Sequence, residues 1–326
     1  MADIRTTFAG LPLRNPIIIS SSGLTNTVGK NKRLDADGAG AIVLKSLFEE
    51  QIMLEVDQLQ DPSFYPEGSE YLKEYIREHK LSGYLQLIRD SKQACSIPII
   101  ASINCYHEAE WIDFARQIEE AGADALEINI LALPSETDYA YGAFEKEHVK
   151  ILRRVKQSTH LPIIMKLGNN LTSPVALIEQ LYANGAAAVV LFNRFYQPDI
   201  DIEKLEHTSG EIFSKSSDLS NTLRWVGIAS AKVEKIDYAA SRGVVTPEAM
   251  VKCLLAGATA VEVCSAIYQQ TNTFIGQANA FLSNWMDRQG FDNIAQFKGR
   301  LNTKDIQGIN TFERTQFLKY FERIKN

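Results

Sequence analysis

The sequence has few cysteines, no long apolar run and no cluster of basic residues. Its four cysteines, Cys95, Cys105, Cys253 and Cys264, form no C-x-x-C pair and no zinc-finger spacing, so we expect neither a disulfide framework nor a metal site. No apolar stretch approaches the roughly 20 residues of a membrane-spanning helix, and the N-terminal residues lack the apolar segment of a signal peptide. The net charge of -6, without clustered Lys and Arg, argues against a nucleic-acid partner. We therefore predict a cytoplasmic protein whose partner is a small molecule.

Two short themes recur at the starts of apolar runs. The first is Gly-Ala-x-Ala, which begins at Gly38, Gly122, Gly185 and Gly257. The second is a proline followed by isoleucines, which begins at Pro16, Pro98 and Pro162. Runs of β-branched residues are typical of buried parallel strands, and glycine suits the left-handed residue that ends a preceding helix. The two themes therefore indicate strands that alternate with helices.

The order of these themes along the chain predicts the fold. Eight strands are expected near residues 16–21, 41–45, 98–103, 125–130, 162–167, 187–192, 236–241 and 260–264. Eight buried strands separated by helices predict an α/β fold, a (β/α)₈ TIM barrel, with residues 1–326 as one domain. Two further helices, Gln269–Arg288 and Thr311–Lys325, are expected to pack outside the barrel. The long intervals 46–97 and 193–235 are expected to cover a site.

The predicted strand ends all carry polar residues. In a barrel the interior is filled with side chains, so functional groups lie at the open mouth where strands end. A single Asn or Ser there commonly satisfies only local backbone groups, whereas the complete set indicates a ligand site. Lys45 and Lys166 directly follow apolar runs, which favours a bound anion beside them. In strand order the residues are Ser20, Ser21, Ser22 and Gly23; Lys45 and Ser46; Asn104 and Cys105; Asn129; Lys166; Asn193 and Arg194; Ser241, Arg242 and Gly243; Cys264 and Ser265.

The last two strand ends are suited to phosphate. Ser241-Arg242-Gly243 and Cys264-Ser265 supply backbone N–H groups, a guanidinium and a hydroxyl, close to a helix that begins near Pro247. Many barrels bind phosphate at this place, whether it belongs to a sugar or to a cofactor. The residues therefore predict a phosphorylated ligand without identifying it.

Six longer segments extend the pattern over most of the chain: NPIIISSSGLT, AIVLKS, IASINCYHEAEWIDFARQIEEAGADALEIN, PIIMKLGNN, LLAGATAVEVCSAIYQ and GFDNIAQFKGRLN. They resemble class 1 dihydroorotate dehydrogenases and the FMN-binding pyrimidine domain of dihydropyrimidine dehydrogenase. The resemblance implies an FMN-dependent oxidoreductase acting on CH–CH groups, as in the conversion of dihydroorotate to orotate in pyrimidine biosynthesis.

The same resemblance implies roles for single residues. Lys166 would face the pyrimidine edge of the isoalloxazine and stabilise the negative charge that reduction places there. Lys45, Asn129 and Asn193 would contact the substrate, and an amide suits a pyrimidine ring because it both donates and accepts. The implied cofactor site comprises Ser21, Ser22, Gly23, Lys45, Asn104, Asn129, Lys166, Asn193, Ser241, Arg242, Gly243, Cys264 and Ser265.

The loop after the fourth strand departs from the family pattern. In the family this loop reads Asn-x-Ser-Cys-Pro or Asn-x-Ser-Ser-Pro, and its Cys or Ser is the catalytic base. Here Asn129 is followed by Ile-Leu-Ala-Leu-Pro and then Ser135. Ser135 and Cys105 are the candidate replacements, beside the interpretation that neither is catalytic and the loop only packs. The segment SFYPEG at 63–68 also lacks the Asn-rich substrate motif, so the substrate stays open.

Three functions follow from these observations. The first is an FMN-dependent dihydroorotate dehydrogenase, and the second is an FMN barrel that acts on another conjugated or pyrimidine-like substrate. The third is a flavin-binding protein without turnover. The electron acceptor is left open among fumarate, a quinone and NAD through an iron–sulfur subunit, which the sequence permits without indicating it. We expect the chain to form a homodimer.

Overall fold

The computed structural model describes residues 2–48, 66–104, 108–306, 312 and 313. Its centre is a closed barrel of eight parallel strands, in which the last strand pairs with the first through Val261 and Ile17. This confirms the predicted (β/α)₈ barrel. The strands are β1 (Ile17–Ile19), β2 (Ala41–Val43), β3 (Ile99–Asn104), β4 (Ala125–Asn129), β5 (Ile163–Leu167), β6 (Ala188–Leu191), β7 (Asp237–Ser241) and β8 (Ala260–Val263).

Helices surround the barrel and pack their apolar faces on its outer surface. The layer between strands and helices is fully buried, as Ile88, Phe114, Leu152 and Leu254 illustrate. None of the helices that the structure describes is both long and apolar enough to cross a membrane. The helices are α1 (Val28–Ala36), α2 (Pro66–Ala94), α3 (Glu108–Glu120), α4 (Ala143–Ser158), α5 (Pro174–Ala183), α6 (Leu219–Lys232), α7 (Pro247–Ala256), α8 (Ser265–Gln270) and α9 (Thr273–Gln289).

The predicted helix Gln269–Arg288 is divided in the structure. Helix α8 ends at Gln270 and α9 begins at Thr273, because Thr271 between them has a φ of 65°, outside the right-handed helical region. The predicted helix Thr311–Lys325 lies outside the described residues, apart from a turn at positions 312 and 313.

Two short hairpins and one single short strand were not predicted. An antiparallel hairpin of Thr6–Phe8 and Leu11–Leu13 precedes the barrel, and a second hairpin of Pro198–Asp201 and Glu206–Ser209 lies in the loop after β6. Leu47–Phe48 pairs with the end of β3. These elements are too short to give a periodic sequence signal, so their strand pairing depends on the tertiary structure.

The barrel interior changes from apolar to polar along the strands. Because side chains alternate between the two faces of a strand, every second residue points inward. The inner apolar cluster includes Phe8 and Leu13 of the first hairpin together with Ile18, Ala41, Val43, Ile100, Ala125, Ile164, Ala188, Val190, Ala239 and Ala260. Two positions further along the strands lie buried polar residues: Ser20, Ser102, Glu127, Lys166, Ser241 and Glu262. The polar end of the interior is therefore the end at which a site can form.

A substitution at Gly40 tests the close packing between β1 and β2. Its N–H donates to Ile17 O at 2.8 Å, and a Cβ at Gly40 would lie 2.2 Å from Asn15 O. We expect Gly40→Ala to lower the free energy of unfolding by about 1–3 kcal/mol, because a backbone carbonyl cannot move aside easily. Urea denaturation measures this change.

Gly29 in α1 provides the matched control, since a Cβ there meets no atom within 4 Å. Gly29→Ala should leave stability unchanged or raise it, because alanine favours helix. Equal losses in the two variants would contradict the packing argument.

Candidate functional site

A cavity of about 640 Å³ opens at the polar end of the barrel. This volume lies in the range of small-molecule and cofactor sites. The strand ends supply one wall: Ser20, Ser21, Ser22, Ser46, Asn129, Lys166, Asn193, Ser241, Arg242, Gly243, Glu262, Cys264 and Ser265. Most of the predicted site residues are thus brought together around one cavity, as parallel strands of a barrel require.

Three ionisable side chains form a buried cluster at the floor of this cavity. Lys166 Nζ lies 2.6 Å from Glu262 Oε2 and 3.4 Å from Glu127 Oε1. Ser20 Oγ donates to Glu262 Oε2 at 2.9 Å and accepts from Lys166 Nζ at 2.9 Å. The three ionisable side chains are 5% exposed or less, so water screens their charges very little. We call Lys166, Glu127 and Glu262 the charge cluster.

The pKa values of the two glutamates in the charge cluster shift in opposite directions. Burial, with the neighbouring Glu262 carboxylate, raises the pKa of Glu127 well above its usual value. Burial would also raise the pKa of Glu262, but Lys166 and hydrogen bonds to that carboxylate lower it instead. Burial would lower the pKa of Lys166, yet the two glutamates raise it. These directions favour an ammonium on Lys166, a carboxylate on Glu262 and a proton on Glu127.

A row of hydroxyl groups connects the charge cluster with the cavity wall. Ser21 Oγ lies 2.9 Å from Ser46 Oγ, and Ser46 Oγ lies 2.8 Å from Ser102 Oγ. Ser102 Oγ donates to Glu127 Oε1 at 3.3 Å. Tyr84 holds the backbone at this point, because its hydroxyl accepts from Ser102 N and donates to Ser102 O. We call Ser21, Ser46 and Ser102 the serine chain.

Two asparagines form an amide pair on the cavity wall. Asn193 Nδ2 donates to Asn129 Oδ1 at 2.7 Å, and Asn193 Oδ1 accepts from Arg194 N at 2.8 Å. Asn129 is paired with Lys166 in the strand register, so the amides lie beside the charge cluster. The pair offers both donor and acceptor groups to a planar ring.

Arg242 provides a half-buried cation at another part of the cavity wall. Its Nη2 lies 3.7 Å from Asp218 Oδ1, while Arg194 binds the other oxygen of Asp218 at 2.9 Å. Burial lowers the pKa of Arg242, although Asp218 opposes this effect. The buried Nε of Arg242 has no hydrogen-bond partner among the described residues. An unpaired donor on a cation is suited to an anionic group such as phosphate.

The long loop after β6 covers the cavity, as the sequence predicted. Arg194–Gln197 and Ser209–Ser214 supply a second wall. Ser214 N donates to Ser265 Oγ at 2.9 Å, which joins the loop to the first residue of α8. The Phe213 and Tyr268 rings lie 5.5 Å apart, so an aromatic contact adds to this closure.

Several predicted site residues do not line the cavity. Lys45 is half-buried, and Asn104 is buried at the end of β3. Gly23 lies against Tyr268, because a Cβ added at Gly23 would be 2.8 Å from the Tyr268 hydroxyl. Ser135 is exposed outside the cavity. Cys105 lies outside the described residues. The functional roles of these residues stay predictions.

The two glutamates of the charge cluster were not predicted from the sequence. Glu127 lies in the strand sequence ALEIN and Glu262 lies in AVEV, at the inward positions that alternate with alanine. A charged residue inside an otherwise apolar strand is costly unless it is paired. That signal, together with the inward position of Lys166, could have identified the charge cluster before the structure was known.

Comparison with known proteins assigns the family. The model of the protein family described as dihydroorotate dehydrogenase matches residues 67–280, which is more than half of the chain. The chain belongs to the dihydroorotate dehydrogenase family. As a member of that family it is an oxidoreductase acting on CH–CH groups, which confirms the resemblance found in the sequence. Enzymes of this family are typically flavin-dependent.

Individual relatives of the dihydroorotate dehydrogenase family are similar over nearly the whole chain. The NAD-dependent dihydropyrimidine dehydrogenase subunit PreA of Escherichia coli K12 is 26% identical over 325 residues, which cover 93% of this chain and 78% of that protein. The dihydroorotate dehydrogenase B (NAD(+)) catalytic subunit of Thermoplasma volcanium is 26% identical, covering 92% and 98%. The corresponding subunit of Methanocella arvoryzae is 30% identical, covering 86% and 92%.

Lys166→Met tests the charge cluster. Removing the cation leaves the Glu262 carboxylate buried without an ion partner, so we expect a loss of about 3–5 kcal/mol in the free energy of unfolding at pH 7. The lowered pKa of Glu262 gives the parent protein stability that is present above the unfolded pKa of about 4.3 and is lost as pH falls through the folded pKa. The deficit of the variant should therefore shrink at acidic pH, as urea denaturation would show.

Lys252→Met is the control, since Lys252 is exposed on α7. The double variant Lys166→Met/Glu262→Gln should recover most of the loss, because no unpaired charge remains. A pH-independent deficit would contradict the assignment of charges in the cluster.

Proposed function

We propose that this protein is an FMN-dependent dihydroorotate dehydrogenase, which converts dihydroorotate to orotate in pyrimidine biosynthesis. One observation carries the proposal: a buried cation, an amide pair and a partly unpaired arginine line the same cavity at the mouth of a barrel. These groups suit, in turn, the electron-rich edge of a flavin, the amides of a pyrimidine ring and a phosphate group.

The residues present fit FMN. Arg242 would hold the phosphate, helped by Ser241, Gly243 and Ser265, which lie on the same wall. Lys166 would lie at the pyrimidine edge of the flavin ring. Bound FMN would supply a two-electron acceptor for a hydride from the substrate. The orphaned Nε of Arg242 is the observation that supports this fit, because burying an unpaired donor is costly unless a ligand accepts from it.

Side chains of the chain itself would stabilise charge, orient the substrate and cover the cavity. Lys166 stabilises negative charge at the cavity floor, and low exposure strengthens that effect. Asn129 and Asn193 orient the substrate ring by donating to and accepting from its amides. The loop that bears Phe213 excludes water from the cavity and is held closed by Ser214.

A second candidate function is oxidation or reduction of a different pyrimidine-like or conjugated substrate. The observation that favours it is the loop after β4, where Leu131 lines the cavity in the region of the expected base. Leu133 is 66% exposed, and Ser135 is exposed as well. Since this loop presents no proton acceptor to the cavity, a substrate with different proton chemistry is a specific alternative.

We further propose that the protein acts in the cytoplasm as part of a larger assembly. The relatives are named as subunits of NAD-dependent or NAD(+) enzymes, which supports a partner subunit that passes electrons to NAD. The homodimer expected from the sequence belongs to the same proposal.

Anaerobic titration of the flavin-loaded protein tests the substrate. We expect dihydroorotate to bleach the flavin absorbance in a stoichiometric manner. Bleaching by dihydrouracil but not by dihydroorotate would favour the second candidate. Failure of the protein to bind FMN at all would overturn both functions.

Arg242→Ala tests the phosphate position. A charge-assisted hydrogen bond contributes about 1.5–3 kcal/mol, so we expect the FMN dissociation constant to rise about 10- to 100-fold. Arg33→Ala is the matched control, because Arg33 is exposed on α1 and pairs only with Asp37 in the described contacts. Flavin fluorescence titration measures both constants, and an unchanged constant in Arg242→Ala would remove Arg242 from the site.

A further inference from the structure

Oxidation of a CH–CH bond releases a proton as well as a hydride, and the chain must accept that proton. Neither Leu131 nor Leu133 can do so, and Ser135 is exposed outside the cavity. Cys264 lines the cavity, but burial raises the pKa of its thiol, so it is a poor base at neutral pH. Cys105, the other candidate base, lies outside the described residues. Within the described part of the chain, the proton acceptor must therefore be sought elsewhere on the cavity wall.

The charge cluster and the serine chain together provide a continuous path for a proton. Ser21 and Ser46 line the cavity, and Ser102 is completely buried between Ser46 and Glu127. The successive oxygen distances along this path are 2.9, 2.8 and 3.3 Å. Each serine hydroxyl can accept one hydrogen bond and donate another, which is the property that a proton relay requires.

The neutral state of Glu127 has a structural basis. Its side chain is buried, and its Oε2 accepts no hydrogen bond from any described residue. An ionised Glu127 would place a second buried carboxylate beside Glu262, with Lys166 as the cation shared by both, and its Oε2 would be desolvated. Glu262, by contrast, receives hydrogen bonds from both Lys166 and Ser20. The carboxylate is therefore on Glu262, and the proton is on Glu127.

We propose that the Glu127–Glu262 pair stores one proton beside Lys166 and exchanges protons with the cavity through the serine chain. This inference rests on the proposed function and identifies the proton acceptor for it. Glu127 and Ser102 act through other groups and are positioning residues for the proton, whereas Glu262 and Ser21 line the cavity.

The transfer balances in atoms and charge. A bound flavin would supply the acceptor for the substrate's hydride. The substrate's proton passes to Ser21 Oγ, while the protons of the serine chain each move one oxygen along. Ser102 gives its proton to Glu127. Glu127 gives its own proton to Glu262, with which it shares a side-chain hydrogen bond. The net charge of the charge cluster then changes from zero to plus one, which would offset the negative charge that a bound flavin gains on reduction. In the direction of substrate reduction every step reverses.

The groups that face Glu127 are few within the described residues. Lys166 faces it from β5, Glu262 from β8 and Ser102 from β3. Tyr84 of α2 is the remaining titratable neighbour, and burial raises the pKa of its phenol, so it stays neutral. The titration of the stored proton with pH therefore belongs to Glu127, Glu262 and Lys166 together and not to one residue.

Infrared spectroscopy of the flavin-free protein tests the stored proton. We expect a carbonyl stretch of a protonated carboxylic acid at pH 7, shifted in heavy water. Glu127→Gln should remove it by removing the acid. Glu262→Gln should remove it as well, because Glu127 then ionises to balance Lys166. Persistence of the band in both variants would overturn the proposal, and the Glu262→Gln result decides the matter even if Glu127→Gln does not fold.

Ser102→Ala tests the serine chain. This variant should keep the carboxylic acid band of the oxidised protein. When dithionite reduces the bound flavin, proton uptake by the charge cluster should be slower than in the parent. The readout is a delay in the appearance of a second carboxylic acid band. We expect a delay of about 10-fold or more, since a lost proton-transfer group commonly costs 10²-fold or more. Ser91→Ala is the matched control, because Ser91 is equally buried but hydrogen-bonds Asn31, away from the cavity. An uptake rate equal to that of the parent would overturn the relay.

The two parts of the experiment separate this inference from the proposed function. If the protein binds no flavin, the proposed function fails, whereas the infrared band still reports on the stored proton. If flavin binds and is reduced but no second band appears, the proton relay fails and the proposed function stands.

Discussion

The ion pair between Lys166 and Glu262 is the interaction around which the mouth of the barrel is arranged. It joins β5 to β8 across the interior, where an apolar layer lies beneath it and the cavity lies above it. A lysine at this depth needs a carboxylate, and a second carboxyl beside the first needs a proton. Burial therefore determines the charge state of all three side chains together.

The position of this cluster links stability to chemistry. The serines and asparagines that satisfy the polar layer are also the groups that a ligand would meet, since Ser20, Asn129 and Lys166 line the same cavity. A polar interior is unfavourable unless it is fully hydrogen-bonded. Arg242 Nε is a buried donor without a hydrogen-bond partner among the described residues, and because Arg242 lines this cavity it indicates where an anionic group could bind.

The covering loop shows how a barrel separates stability from specificity. The strands and their apolar layers would hold the barrel without the hairpin between 198 and 209, whose residues are mostly exposed. The loop instead shapes the cavity through Phe213 and Ser214. Changes in this loop can therefore alter the substrate without altering the barrel.

The sequence by itself determined the eight strands, their order and the polar residues at their ends, because β-branched runs, glycine positions and period-two alternation are local signals. It did not determine the break at Thr271, the short hairpins or the partners of Lys166. Lys166 and Glu262 are 96 positions apart in the sequence, so only closure of the barrel brings them together. The same closure decided that Asn193 meets Asn129 while Ser135 stays outside the cavity, since contacts between distant strands depend on register and not on local sequence.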